Sequence, residues 1–198
     1  MDAGPSHDRL FVLATRNPHK LQEVRRILEP LGISVDPLPP GIELPPEEGE
    51  TFADNALPKA RAAAAGTGRP AIADDSGIEA QALGWAPGVR SARYSGVDAG
   101  DSENLQKLIR EVPAESGIRY RCALAYVDGS GEERVFFGEC TGRMAAQPRG
   151  ENGFGYDPVF IPDEDPSGRT MAELTETEKD QISHRARAVR AFAEWLQN

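Results

Sequence analysis

Cysteine is nearly missing from this chain. Its 198 residues include two, Cys122 and Cys140, and neither has the C-x-x-C spacing of a zinc or redox site. A multi-disulfide scaffold is excluded, and two buried free thiols in a reducing compartment are expected. Long apolar runs are missing as well. Residues 1–9 are polar, and the first apolar run, Leu10 to Ala14, is too short for a signal-peptide core or a membrane span. The expectation is a flexible tail over 1–9, one domain of two lobes over 10–198, a cytoplasmic location and no membrane partner. Positive charge is in deficit: 22 Lys and Arg against 32 Asp and Glu leave a net charge of -10. Such a chain lacks the basic footprint that holds nucleic acid, so a polyphosphate ligand would need locally placed cations or a metal. Repeats, low-complexity linkers and the G-x-x-x-x-G-K phosphate loop are absent too.

What is present suffices for a core, with 39% hydrophobic residues. Leu10 to Ala14 reads as a buried strand. A turn at Thr15, Arg16 and Asn17 leads to a helix opened by Pro18, with Asn17 as its cap and Leu21, Val24 and Leu28 as its buried stripe. Residues 37–50, rich in Pro and Glu, read as a loop. Thr51 starts a second helix, in which Pro58 should produce a kink or a split. Ala71 to Ala73 reads as a short strand ending at Asp74 and Asp75, and 101–110 as a helix. Residues 119–127 and 133–138 form a hairpin across Asp128-Gly129-Ser130-Gly131. A strand near 159–161 follows, then a helix capped by Thr175 and Glu178, and a last one capped by Ser183 with Val189, Phe192 and Leu196 on its apolar face. Strands alternate with helices and then pair as a hairpin, which predicts an α/β fold with a mixed central sheet flanked by helices.

Five groups carry chemistry. Thr15-x-Asn17-x-x-Lys20 opens a helix, where unpaired N–H groups and the helix dipole attract anions; Asn17 is also an ordinary cap and Lys20 an ordinary surface lysine. Asp74-Asp75-Ser76-Gly77 ends a buried strand, where carboxylates can hold Mg2+ through oxygen; it also suits an Asp-Ser-Gly turn. Glu47-Glu48-x-Glu50 offers a second carboxylate, or simply a solvated loop. Gly153-Phe154-Gly155-Tyr156-Asp157-Pro158 offers close backbone approach and aromatic faces for a base, or an aromatic tucked into a core. Lys179 with Ser183-His184-Arg185 combines cations and donors at a helix start, or is a capping serine with exposed basic neighbours.

Taken in order, T-R-N-P-H-K-L-Q-E-V, T-F-A-D-N-A-L-P-K-A, A-D-D-S-G, A-P-G-V-R-S-A-R-Y-S-G, G-F-G-Y-D-P-V-F and E-K-D-Q-I-S-H-R-A resemble the inosine triphosphate pyrophosphatase family, its bacterial dITP/XTP pyrophosphatases above all. The resemblance runs over nearly the whole chain. It implies a Mg2+-dependent hydrolase that cuts non-standard purine nucleoside triphosphates to the monophosphate and pyrophosphate, as a homodimer of two-lobed subunits with the site in the cleft between lobes. It further implies that Thr15, Arg16, Asn17, Pro18, His19 and Lys20, helped by Lys59, bind the triphosphate. Asp75 would be general base and metal ligand, with Glu47, or Glu48 as the alternative, the second metal carboxylate. Ser76 would touch substrate, Phe154, Gly155, Tyr156 and Asp157 would form the base pocket, and Lys179, Ser183, His184 and Arg185 would close over base and phosphates.

Arg16 stands where many relatives have Gly, Pro58 immediately precedes Lys59, and the acidic loop is one residue shorter than in some relatives. Two other readings compete: a non-catalytic purine nucleotide sensor on the same fold, and a pyrophosphatase for modified pyrimidine triphosphates.

Overall fold

Four residues, Leu10–Leu13, form β1, and three of them are buried. β1 pairs in parallel with β2 (Ser34–Pro37) on one side and with β3 (Ala71–Ala80) on the other. This computed structural model describes residues 10–198, so the tail expected over 1–9 lies outside the described residues. The segment S-V-D-P buries only Val35 fully and has little intrinsic strand preference; pairing with β1 makes it a strand.

Two expectations of local structure are corrected. Asp74 and Asp75 do not end a strand in a turn: β3 runs on to Ala80. Asp, Ser and Gly disfavour strands, but here the carboxylates have cationic or amide partners, and the Ser91 hydroxyl accepts from the Ile78 N–H at 2.9 Å beside Gly77. A Cβ on Gly77 would lie 2.4 Å from Ser91 Oγ, so this close approach needs glycine. Likewise Pro58 does not split its helix. α2 (Phe52–Thr67) is continuous and starts with a reciprocal Thr51–Asp54 capping box. Proline in a helix interior costs about 3 kcal/mol; burial of Ala56, Ala60, Ala63 and Ala64 along the packed face offsets it.

α1 (Pro18–Leu28) has the expected Asn17 cap and buries Val24 and Leu28, with Leu21 half-buried. After α3 (Asp101–Glu111), β4 (Gly117–Val127) and β5 (Glu133–Met144) flank the expected turn, where Asp128 Oδ1 accepts from Ser130 and from the Glu132 N–H. β6 (Phe160–Pro162) pairs antiparallel with β5. α4 (Glu176–Ile182) carries the Thr175–Glu178 capping box, and α5 (His184–Gln197) follows Ser183, whose Oγ accepts from Ala186 N at 3.2 Å. The six strands run in the order β2-β1-β3-β4-β5-β6, and with both parallel and antiparallel pairs the sheet is mixed, as expected.

The chain divides into two compact units, each assembled from separate stretches. One comprises residues up to Asp75, Ala123–Phe136 and Ala188–Asn198. Its core holds Phe11, Tyr126 and Phe192, and half-buried Phe136 and Trp195 pack against them as an aromatic cluster. The other comprises Ser76–Cys122 and Phe137–Arg187. Its core gathers Ile78, Leu108, Tyr120, Met144, Tyr156 and Phe160. Both cysteines are buried and unbridged, as expected.

Candidate active site

In the first unit, the turn between β1 and α1 is knitted to itself. Thr15 Oγ1 accepts from the Asn17 N–H at 3.1 Å, and Asn17 Oδ1 accepts from the His19 and Lys20 N–H groups at 2.9 and 3.4 Å. Pro18 has no N–H, and Leu21 N bonds the Asn17 carbonyl. The first N–H groups of α1, expected to be open to an anion, are therefore occupied by the cap. That leaves side chains as the chief anion donors here. The Arg16 guanidinium donates to the carbonyls of Leu38, Pro39 and Ile42 at 3.0, 3.2 and 2.8 Å. Pro18 and His19 are exposed.

Lys20 reaches across to β3, where its Nζ lies 3.0 Å from Asp74 Oδ2. Successive strand residues point to opposite faces, and Asp75 accordingly has different partners. Its Oδ2 accepts from Asn55 Nδ2 at 2.8 Å. Lys59, one helical turn beyond Asn55, donates to Glu47 Oε1 at 2.5 Å and to the Asp74 carbonyl at 2.8 Å. Glu47 is half-buried, whereas Glu48 and Glu50 are exposed.

Two ammonium groups thus face three carboxylates. Burial raises the Asp75 pKa above the usual carboxylate value, Lys59 pulls it down, and Glu47 pushes it up again. Burial works to lower the Lys59 pKa, but the charges of Asp75, Asp74 and Glu47 outweigh it and hold the amine above its ordinary value. Among the described residues, no group of three or more His, Cys, Asp or Glu is arranged to hold a metal. The pair Asp75 and Glu47 is nonetheless an all-oxygen set close enough to couple electrostatically. A small hard dication needs only one or two such carboxylates, with phosphate oxygens and water completing its shell.

In the second unit the organising group is Asp157, which is 3% exposed. Its Oδ2 accepts from Lys179 Nζ at 2.7 Å and from the Phe154 N–H at 3.0 Å, and its Oδ1 from the Tyr120 hydroxyl at 3.1 Å. This carboxylate fills the space where Gly153 would carry a Cβ, 2.1 Å away, and Gly153 has φ +74°. The Phe154 ring is half-buried, with Lys179 Nζ 5.0 Å and Arg185 Cζ 5.7 Å from its centroid. Both cations lie within cation–π range. Arg185 is almost fully buried and donates to Ser76 Oγ at 2.6 Å. His184 stacks on Tyr120 with centroids 4.5 Å apart, and Tyr120 stacks in turn on Phe160. Gly155 N bonds Asp101 Oδ2 at 3.1 Å. Tyr156 turns into the core, where its hydroxyl donates to the Ser91 carbonyl at 2.7 Å. Ser183 serves as the α5 cap.

Residues 11–195 match the Ham1 family. The chain belongs to the Ham1 family. Two relatives, each called dITP/XTP pyrophosphatase, come from Cutibacterium acnes and Frankia alni. The first is 48% identical, spanning 92% of this chain and 93% of the relative. The second is 50% identical, spanning 93% and 96%. A solved HAM1 protein from Coxiella burnetii superposes with a TM-score of 0.84 at 38% identity, covering 95% of this chain and 98% of that one. A solved nucleoside-triphosphatase, dITP/XTP pyrophosphatase, from Mycobacterium abscessus gives 0.71 at 45% identity, covering 92% and 98%.

Three residues of these clusters do not stand out in the sequence: Asn55 in the first unit, and Tyr120 and Asp101 in the second. Asn55 left a usable signal. It lies four residues before Lys59, so two polar side chains share the face that Ala56, Ala60 and Ala63 bury. Tyr120 and Asp101 left none, because their partners are distant in sequence.

Proposed function

We propose that this chain hydrolyses non-standard purine nucleoside triphosphates (ITP, dITP and XTP) to the monophosphate and pyrophosphate, using Mg2+. The observation that carries this reading is the buried Asp75 carboxylate set among Lys59, Glu47 and Asn55. The names of the relatives supply the substrate class.

The first unit handles the triphosphate. Lys20 and Lys59, now neutralised by Asp74 and Glu47, exchange those partners for phosphate oxygens. Cations already in place at the transferring and leaving oxygens usually contribute most to lowering the barrier in such reactions. Asp75, its carboxylate held by Asn55, accepts the proton of the attacking water. Asp75 and Glu47 would hold Mg2+, which supplies further positive charge to the phosphoryl oxygens.

The second unit handles the base. Phe154 offers a ring face, and Lys179 and Arg185 can only donate hydrogen bonds. Donors suit the O6 carbonyl of hypoxanthine and xanthine and are mismatched to the amino group of adenine. Each buried group left unpaired by ATP costs about 1–3 kcal/mol. The protein is expected to act in the cytoplasm as a homodimer, which light scattering on the purified chain checks.

A panel of nucleoside triphosphates with product identification tests the reading. ITP and XTP should be cut much faster than ATP and GTP, yielding pyrophosphate; GTP shares the O6 acceptor, so its exclusion must come from its 2-amino group. Equal rates on all four, or preferential cleavage of modified pyrimidine nucleotides, would overturn the substrate assignment. Absence of hydrolysis with nucleotide bound would indicate a sensor. Asp75→Asn should lower kcat by about 100-fold or more with little change in nucleotide binding.

A further inference from the structure

Asn55 is 3% exposed, in the first turns of α2. The helix start does not need it, since Thr51 and Asp54 already cap each other. An alanine here would simply extend the buried alanine face, and a buried carboxamide is costly unless both of its ends are bonded. Both ends are used. Oδ1 accepts from the Gly49 N–H at 2.7 Å, and Nδ2 donates to Asp75 Oδ2 at 2.8 Å. The amide cannot be reversed, because an N–H only donates and a carboxylate only accepts.

Gly49 makes this contact possible. A Cβ there would sit 2.5 Å from Asp54 Cβ and 2.7 Å from Asn55 Oδ1. Glu47, two residues before Gly49, is fastened to Lys59, four residues after Asn55. One face of α2 therefore grips the acidic loop at two neighbouring points, and one of those grips also holds Asp75.

We propose that Asn55 is a positioning residue that couples the acidic loop to Asp75, setting the general base and Glu47 in register for the reaction. This rests on the assignment of Asp75 given above.

The test compares Asn55→Ala, Asn55→Asp, Gly49→Ala and Asp75→Asn. It measures kcat and KM for ITP at saturating Mg2+ and amide exchange at Gly49. Asn55→Ala should lower kcat by about tenfold or more, leave KM within about threefold, and expose the Gly49 amide to exchange. Asn55→Asp keeps an acceptor for Gly49 but sets a second carboxylate against Asp75, so the amide should stay protected while kcat falls at least as far. Gly49→Ala disturbs the same contact from the loop side and should reproduce the kcat loss of Asn55→Ala. A kcat within about twofold of the parent in Asn55→Ala, or a loss confined to KM, overturns the coupling. Should Asn55→Ala fail to fold, Asn55→Asp decides by the same kcat criterion. The outcomes are separable: an active Asp75→Asn removes the base assignment itself, whereas an inactive Asp75→Asn beside a normal Asn55→Ala removes only the coupling.

Discussion

Two glycines in the 153–158 loop allow the Asp157 contact to be weighed. Gly153 and Gly155 have φ of +74° and +63°, so an alanine at either suffers a similar backbone penalty of about 1 kcal/mol. Their surroundings differ. At Gly155 a new Cβ meets nothing within 4 Å; at Gly153 it meets Asp157 Oδ2 at 2.1 Å and Lys179 Nζ at 3.2 Å. Gly153→Ala therefore displaces the carboxylate and breaks its bonds from Lys179 and the Phe154 N–H. Hydrogen bonds to charged groups are worth about 1.5–3 kcal/mol each, and partial relaxation leaves an expected excess of about 2–4 kcal/mol over Gly155→Ala. That is a large part of the roughly 5–15 kcal/mol that holds a domain together, yet short of abolishing the fold. Urea denaturation followed by circular dichroism measures both variants against the parent. Gly153→Ala should also raise KM for ITP more than Gly155→Ala does, because Lys179 loses its anchor. If the two variants were equally stable to within about 0.5 kcal/mol, the placing of Asp157 under Gly153 as the loop's anchor would be refuted.

Three more outcomes are expected. Arg16→Ala should make residues 38–50 more sensitive to protease and cost about 1–2 kcal/mol, while raising nucleotide KM less than Lys20→Ala does; an equal KM rise would mean that Arg16 serves phosphate directly. Burial pushes the Cys140 thiol up to about 12, so neither buried cysteine should react with a disulfide reagent at pH 8 until the chain is unfolded in guanidinium; rapid native labelling would contradict this. Hydrogen bonds from Arg169, with help from Ser167, hold the Asp165 carboxyl down at about 2. A carboxyl lowered in the folded state stabilises it above the unfolded value and loses that contribution as pH falls toward about 2. Asp165→Asn should therefore melt earlier than the parent at pH 7, with the gap closing as pH drops below about 4; a gap independent of pH would exclude linkage through this group.

The helix starts were legible because their chemistry is local. Asn17 before Pro18, Thr51 with Asp54, and Thr175 with Glu178 each satisfy N–H groups within one turn, so the capping residues announce the helix whatever surrounds it. The failures have the opposite character. Asp74 and Asp75 read as the end of a short strand, and Pro58 as a kink or a split. The strand end was overridden by Lys20, Asn55 and Ser91, which are distant in sequence, and the split by the buried alanine face of the same helix.

The sequence alone determined the family, the mixed α/β class and the roster of charged side chains, because ordered motifs and capping signals survive without a third dimension. Only the tertiary structure decided which of those charges meet. It set Lys20 on Asp74, Lys59 on Glu47, Asn55 on Asp75 and Lys179 on Asp157, and it turned Arg16 to backbone carbonyls. Electrostatic and hydrogen-bonding energies depend on separations of a few ångströms and on burial. Those quantities come into existence only when distant stretches of chain are packed together.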